Sequence, residues 1–248
     1  MVLMRIFDRI NFDTSNLNFA QKIAIANVFV FLIYRLSFLF KLEGDFLDLF
    51  SLSSNFMYNP WSIITHAFIH QGIFDLIFML ILLFFSYNSI SNLLGEKITI
   101  YLFFVGIILG SIFFLFFSNS QNILIGASAG ISSLLIFLFF LSPNLELRLF
   151  RFNIKFKYLM ALILFTDFLR FLSPGEFGIY SHIGGYLAGT FYYFSIYGFP
   201  KKPKKPKKMK QINKQKEIDK ILDKISKRGY DSLSSKERDF LFRQKDKK

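Results

Sequence analysis

The 248-residue chain contains no cysteine. That excludes a disulfide framework, thiolate chemistry and zinc sites built on cysteine. Histidine is nearly absent as well: His66, His70 and His182 are the whole inventory for imidazole chemistry. Acidic residues number 17 against 30 Lys and Arg, but the resulting charge of +13 is not spread as a nucleic-acid-binding surface would require. Residues 201 to 248 hold 19 of the basic and 7 of the acidic residues, which leaves 11 against 10 for residues 1 to 200. The basicity belongs to a tail, and no nucleic-acid partner is expected.

What the chain has in excess is apolar surface. With 53% hydrophobic and 19% aromatic residues and a mean hydropathy of +0.41, it reads as an all-α membrane protein rather than a soluble domain. A membrane-crossing helix takes roughly 20 mostly apolar residues, and six segments approach that length: 23–41, 62–87, 98–117, 123–141, 157–173 and 179–199. The second is placed to begin outside the bilayer and enter late, and the fifth carries Asp167 and Arg170. Residues 42–61, acidic and dotted with aromatics, read as a loop lying in the interface.

Charge orients these segments, because Lys and Arg stay on the cytoplasmic side. The connection SPNLELRLFRFNIKFK holds Arg148, Arg151, Lys155 and Lys157, residues 118–122 hold no charge, and KKPKKPKKMK follows the last segment. Both termini are therefore expected in the cytoplasm. The first 22 residues scatter charge instead of forming an apolar core, so they read as a retained cytoplasmic segment and not a cleaved signal.

After the membrane domain, 23–199, comes a Lys/Pro linker at 200–216, expected to be extended, solvated and drawn to anionic headgroups. Residues 217–248 then read as a small helical extension. Ile218, Ile221, Leu222 and Ile225 fall at helical spacing, Gly229 stops that helix, and Ser234 with Glu237 makes a capping box for a second. A helix pair of this size is too small to be an enzyme, and reads as a docking element for a cytoplasmic partner.

Polar residues inside apolar spans are costly in lipid and usually face the interior with a task. His182 lies early in the sixth segment, in SHIGGYLAGTF, roughly 5 Å along the helix from its outer end, and Ser128, in GASAG at the start of the fourth, roughly 8 Å from the same side. Ser128 reads as a packing notch, a capping hydroxyl or a nucleophile, and the last would be matched in depth with a base at His182. Gly185 and Gly189, with Gly126, Ala127, Ala129 and Gly130 around Ser128, would let the two helices approach closely. His66 and His70, four apart, have a spacing that can bind metal, but without a glutamate partner or third ligand structural hydrogen bonding is favoured, and no cofactor or metal is assigned. Asp167 and Arg170, three apart, read as a local ion pair.

GASAG in the fourth segment and H-x-x-G-x-x-x-G in the sixth resemble the rhomboid family of intramembrane serine proteases, over about residues 20 to 200, with THAFIHQGIFDLIFML in the place of the family's second helix. The resemblance implies a six-helix bundle in a bacterial inner membrane. It makes Ser128 the nucleophile, Gly126 the first motif glycine and His182 the base, with no acidic third member required, and it makes transmembrane proteins the substrates. The tail is similar to the small helical extension of rhomboids of the Bacteroidetes type. The family's H-x-x-x-N pair, which holds the oxyanion, falls here on Asp75 and Met79, the second motif glycine is Ala129, and a tyrosine frequent one turn after the serine is Ser132. Oxyanion support would then fall to amides near Gly126 and Ala127, to His70, or to a protonated Asp75. Asp75 stays open between that role, partnership with a buried histidine, and exposure to a cavity. The alternative function is a catalytically silent rhomboid fold that binds transmembrane segments as an escort or adaptor.

Overall fold

A computed structural model describes residues 17–119, 121–149, 152–199 and 207–245. The chain divides into two compact units, Met1–Gly198 and Phe199–Lys248. The expected cytoplasmic segment 1–22 falls mostly outside the described residues.

In the first unit α1 (Phe19–Ser37) starts from a reciprocal cap, the Asn18 side chain accepting from the Gln21 amide and the Gln21 side chain from the Asn18 amide, each at 2.9 Å. The loop at 42–61 is not wholly irregular, for it contains α2 (Glu43–Phe50). The second apolar segment is interrupted. A short α3 (Ser62–Thr65) and a 3-10 turn (His66–Phe68) precede a break at Gly72, and the long helix α4 (Ile73–Leu94) begins only after it. Next come α5 (Glu96–Phe117) and α6 (Ser128–Leu141). A two-stranded antiparallel hairpin, β1 (Glu146–Leu149) and β2 (Phe152–Lys155), occupies the basic connection, followed by α7 (Phe156–Leu172) and α8 (Ile179–Tyr197).

Among the described residues three helical stretches, Phe19–Phe40, Ile73–Leu94 and Glu96–Phe117, are long and apolar enough to cross a bilayer. The fourth apolar segment yields a shorter helix of 14 residues, because residues before Ser128 are not helical. Outward faces carry large apolar side chains, among them Phe29 and Leu32 on α1, Phe74 and Phe78 on α4, and Leu162 and Phe165 on α7. In a membrane protein these are lipid-facing rather than sticky.

Helix α6 is the axis. Every residue from Ala129 to Leu138 is buried, the arrangement an all-round apolar helix demands. It packs on α5 and α8 most extensively, and on α4 and α7 elsewhere. Small residues make the three-helix contact possible. A β-carbon on Gly185 would collide with the Ala129 carbonyl oxygen and one on Gly189 with the Ser133 carbonyl oxygen, so α8 follows α6 in parallel at a fixed register. Helix α5 runs the other way: a β-carbon on Gly106 would lie 2.5 Å from the Ser133 Cβ, one on Gly110 would strike the Ala129 Cβ, and one on Gly184 would lie 2.6 Å from the Leu109 carbonyl oxygen. Gly130 turns instead to Phe103 of α5, whose Cδ2 would be 2.8 Å from an added β-carbon.

At the opposite end of the bundle from Ser128, Glu96 ties three helices. Its Oε1 accepts from the Phe19 amide at 2.8 Å and from the Tyr87 hydroxyl at 2.8 Å.

The second unit contains α9 (Lys207–Arg228) and α10 (Ser235–Lys245). The Lys-rich stretch expected to be extended through residue 216 is already helical from Lys207. The last proline of the run is Pro206, and beyond it every residue can donate its backbone N–H. Gly229 ends α9 with φ of 73°, and Ile221 and Leu233 are buried. The capping box is present, with the Ser234 amide donating to Glu237 Oε2 at 2.8 Å and the Glu237 amide to Ser234 Oγ at 3.4 Å. Lys224 Nζ reaches the same carboxylate at 2.8 Å, joining the two helices.

Two outcomes follow. Gly185→Ala should lower the unfolding free energy in detergent by about 1–3 kcal/mol through overpacking against backbone, whereas Gly44→Ala, with open space around it, should be neutral within about 0.5 kcal/mol. In the tail, the Lys224 ammonium and the Ser234 cap hold the Glu237 carboxyl down at about 2 from an ordinary 4.5. Its contribution is complete above the ordinary value and disappears as pH falls through about 2. Hydrogen exchange on the full chain should show α10 amides losing protection over that window, and Glu237→Gln should flatten the dependence.

Candidate active site

Ser128 is positioned by backbone hydrogen bonds from a distant loop. Leu124 pairs with Leu52 as an isolated antiparallel bridge, the Leu52 amide donating to Leu124 at 3.0 Å and the Leu124 amide to Leu52 at 2.7 Å. Two residues on, the Gly126 amide donates to the His66 carbonyl at 2.8 Å. Gly126 has φ of 96°, a left-handed value that lets the chain swing from this extended run into α6. Ala127 is the N-cap without a side-chain cap, and Ser128 is the first helical residue. GASAG is therefore a loop-to-helix junction, and Ser128 stands at the helix end instead of the expected 8 Å along it.

His66 anchors the loop. Its ring is fully buried with Nε2 2.9 Å from Ser111 Oγ. The Ser111 hydroxyl lies 2.9 Å from the Ile107 carbonyl and 3.1 Å from that of Ile63, so its one proton goes to a carbonyl and it accepts from Nε2–H. His66 is a neutral structural histidine. His70, also buried, leaves Nδ1 without a partner among the described residues.

His182 comes from the first turn of α8. Since Gly185 rests on Ala129, the register sets His182 beside the junction that precedes α6. Its Nδ1 is 2.9 Å from Asp167 Oδ2 of α7, and the Tyr186 hydroxyl, one turn further along α8, donates to the same oxygen at 2.6 Å. The expected Asp167–Arg170 pair is not formed. Asp167 is buried on the side of α7 that meets α8, whereas exposed Arg170 turns to Glu176 in the following loop, with Nε and Nη2 both 3.2 Å from Oε2. Ser128 is partly exposed, and among the described residues its hydroxyl forms no hydrogen bond, to His182 or to any other group. Serine–histidine bonds that are open without substrate commonly tighten only when it binds.

The family model for the rhomboid domain matches residues 58–199, more than half of the chain. The chain belongs to the rhomboid family. A second model, for a family of unknown function (DUF6576), matches residues 208–243, which span α9 and most of α10. No curated protein matches this rhomboid in sequence.

Asp75 and Met79, the positions the resemblance puts in place of the family's oxyanion pair, are set differently. Met79 is buried in the apolar core with no proton to donate, and Asp75 is exposed in the first turn of α4, with no hydrogen bond or salt bridge among the described residues. The Gly126 amide is committed to His66, so Gly126 supports the site by its turn and not by donation. The amides of Ser128, Ala129 and Gly130 precede the first intrahelical bond, from the Ile131 amide to the Ala127 carbonyl at 3.1 Å, and carry the positive end of the helix dipole. Sequence reasoning missed Asp167 and Tyr186 as partners of His182. The available signal was an acid within an apolar segment together with a tyrosine at i+4 from the histidine.

Space is open around Gly126, so Gly126→Ala isolates the backbone conformation from crowding. It should lower stability by about 1–2 kcal/mol, the left-handed penalty for a residue with Cβ, measured by thermal unfolding in detergent.

Proposed function

We propose that this rhomboid is an intramembrane serine endopeptidase that cleaves transmembrane segments near their outer end, with Ser128 as nucleophile and His182 as general base. The observation that carries it is a serine at the first position of the central helix α6, in register with a histidine on the helix whose Gly185 rests on the next residue, Ala129. His182 Nε2 takes the Ser128 proton, Oγ attacks the substrate carbonyl, and the tetrahedral oxyanion faces the amides of the first turn of α6. The proton on Nε2 passes to the departing amine as the peptide C–N bond breaks, leaving an acyl-enzyme. Water then enters and gives a proton to His182 as its oxygen attacks the acyl carbon, and the bond to Ser128 Oγ breaks as that proton returns to Oγ, releasing the acid.

In this reading α1, α4, α5, α6, α7 and α8 are the six membrane-crossing helices. Both termini are cytoplasmic, on the side of the basic hairpin connection, in a bacterial inner membrane. The Lys-rich tail adds attraction to anionic headgroups of about 1 kcal/mol per basic residue near the surface. The C-terminal helices dock a cytoplasmic partner.

A second reading has its own support. The residues at Asp75 and Met79 and the open Ser128 hydroxyl favour a silent rhomboid that escorts transmembrane segments. The two readings part in one experiment. A fluorophosphonate should label wild-type protein in detergent at Ser128, label Ser128→Ala not at all, and label His182→Ala at least about 10³-fold more slowly. A folded wild type that never labels establishes the escort.

A further inference from the structure

We propose that Asp167 is a positioning residue that completes the catalytic group, fixing the tautomer and direction of His182, with the Tyr186 hydroxyl securing the carboxylate. The inference rests on the protease reading above. Helix α7 supplies Asp167, yet α7 buries only Phe156, Met160 and Asp167 among its described residues. An ionised carboxylate at such a place is expensive unless it is hydrogen-bonded. Here it is bonded twice at one oxygen, by an imidazole at 2.9 Å and a phenol at 2.6 Å. The phenol distance is that of a charge-assisted O–H···O bond. Arg170 lies with Glu176, so the carboxylate is bonded by the imidazole and the phenol.

The proton inventory determines the chemistry. A carboxylate facing Nδ1 requires Nδ1 to carry the hydrogen, since two lone pairs would repel. Nε2 then holds the free pair, and Nε2 is the nitrogen that must remove the Ser128 proton. Tyr186, four residues after His182, lies on the same face of α8 one turn away and holds Oδ2 from the same helix. As the Ser128 proton moves to Nε2, the ring becomes an imidazolium against a fixed negative charge. That attraction grows during the reaction, so it lowers the barrier rather than only binding substrate. Asp167 takes up no proton at any step.

Two measurements on the full chain test this. In Asp167→Asn the second-order rate of fluorophosphonate labelling, and kcat on a transmembrane substrate, should fall by about 10²–10⁴-fold with KM changed less than about threefold. Asp167→Glu should recover at least about tenfold of the loss, and Tyr186→Phe, which keeps the ring, should fall about tenfold. The chain has three histidines, so ¹⁵N-histidine spectra, assigned with His182→Ala, read the tautomer directly even where a variant is poorly active. Wild-type His182 should carry its proton on Nδ1, and Asp167→Asn should move it toward Nε2. Labelling of Asp167→Asn within threefold of wild type, or a wild-type His182 protonated on Nε2, overturns this role and leaves the Ser128–His182 protease standing. Failure of folded wild type to label overturns the protease, and this role with it.

Discussion

The structure depends on one contact, the meeting of bare backbone between α6 and α8. In lipid the expulsion of water does not hold helices together, and close packing must do so. Gly185 and Gly189 present no β-carbon where the Ala129 and Ser133 carbonyl oxygens stand. The two contacts are four residues apart on each helix, which fixes a parallel register along more than a turn. Helix α5 closes the third side with Gly106 and Gly110 against the same stretch of α6. A serine side chain has a single carbon of reach. On the protease reading it serves an imidazole on another helix only where backbones are this near, so the packing and the proposed chemistry share one requirement.

Polar groups within the bundle follow a local rule. The Asn27 amide donates to the Ile23 carbonyl at 2.8 Å, Ser86 to Leu82 at 2.7 Å, and Ser133 to Leu102 at 3.0 Å. Each of these donors finds a carbonyl in its own helix or the next, while the Asn27 side-chain oxygen has no partner among the described residues. The junction before α6 works differently, being held from loop residues 52 and 66 through backbone bonds. Its geometry is set by a separate layer of structure that rests on the buried His66–Ser111 pair. The consequence is division of labour: helices fix the histidine, and the loop fixes the serine.

Much of the fold was legible because hydropathy and helix length are read directly from residue type. The capping box at Ser234 and the stop at Gly229 were visible for the same reason, being set by residues three or four apart. The missed features depend on partners far away in sequence. Residues 123–127 are apolar and read as helix, but Leu52 pairs with Leu124 and the His66 carbonyl holds the Gly126 amide, so the chain stays out of helix until Ser128, and that competition has no trace in the segment itself. The hairpin at 146–155 alternates apolar and polar residues, a period of two obscured by its basic charge. The Asp167–Arg170 reading failed because spacing of three on a helix says that two residues can meet, not that a better partner is absent. Asp167 finds its donors on α8, and Arg170 finds Glu176.

On the proposed protease reading, the departures at Asp75 and Met79 move oxyanion stabilisation from side chains to the N-terminal amides of α6, which any residue but proline at 128–130 would supply. Those amides alone say little about whether chemistry occurs. The buried Asp167, His182 and Tyr186 say more. A buried hydrogen-bonded carboxylate is seldom more stable than apolar residues of the same volume, because desolvation offsets its attraction. A fold that only had to bind helices would lose nothing by filling those three places with leucine and phenylalanine. The proposed catalysis, in contrast, needs a ring held at Nδ1, and Asp167 with Tyr186 provides that hold.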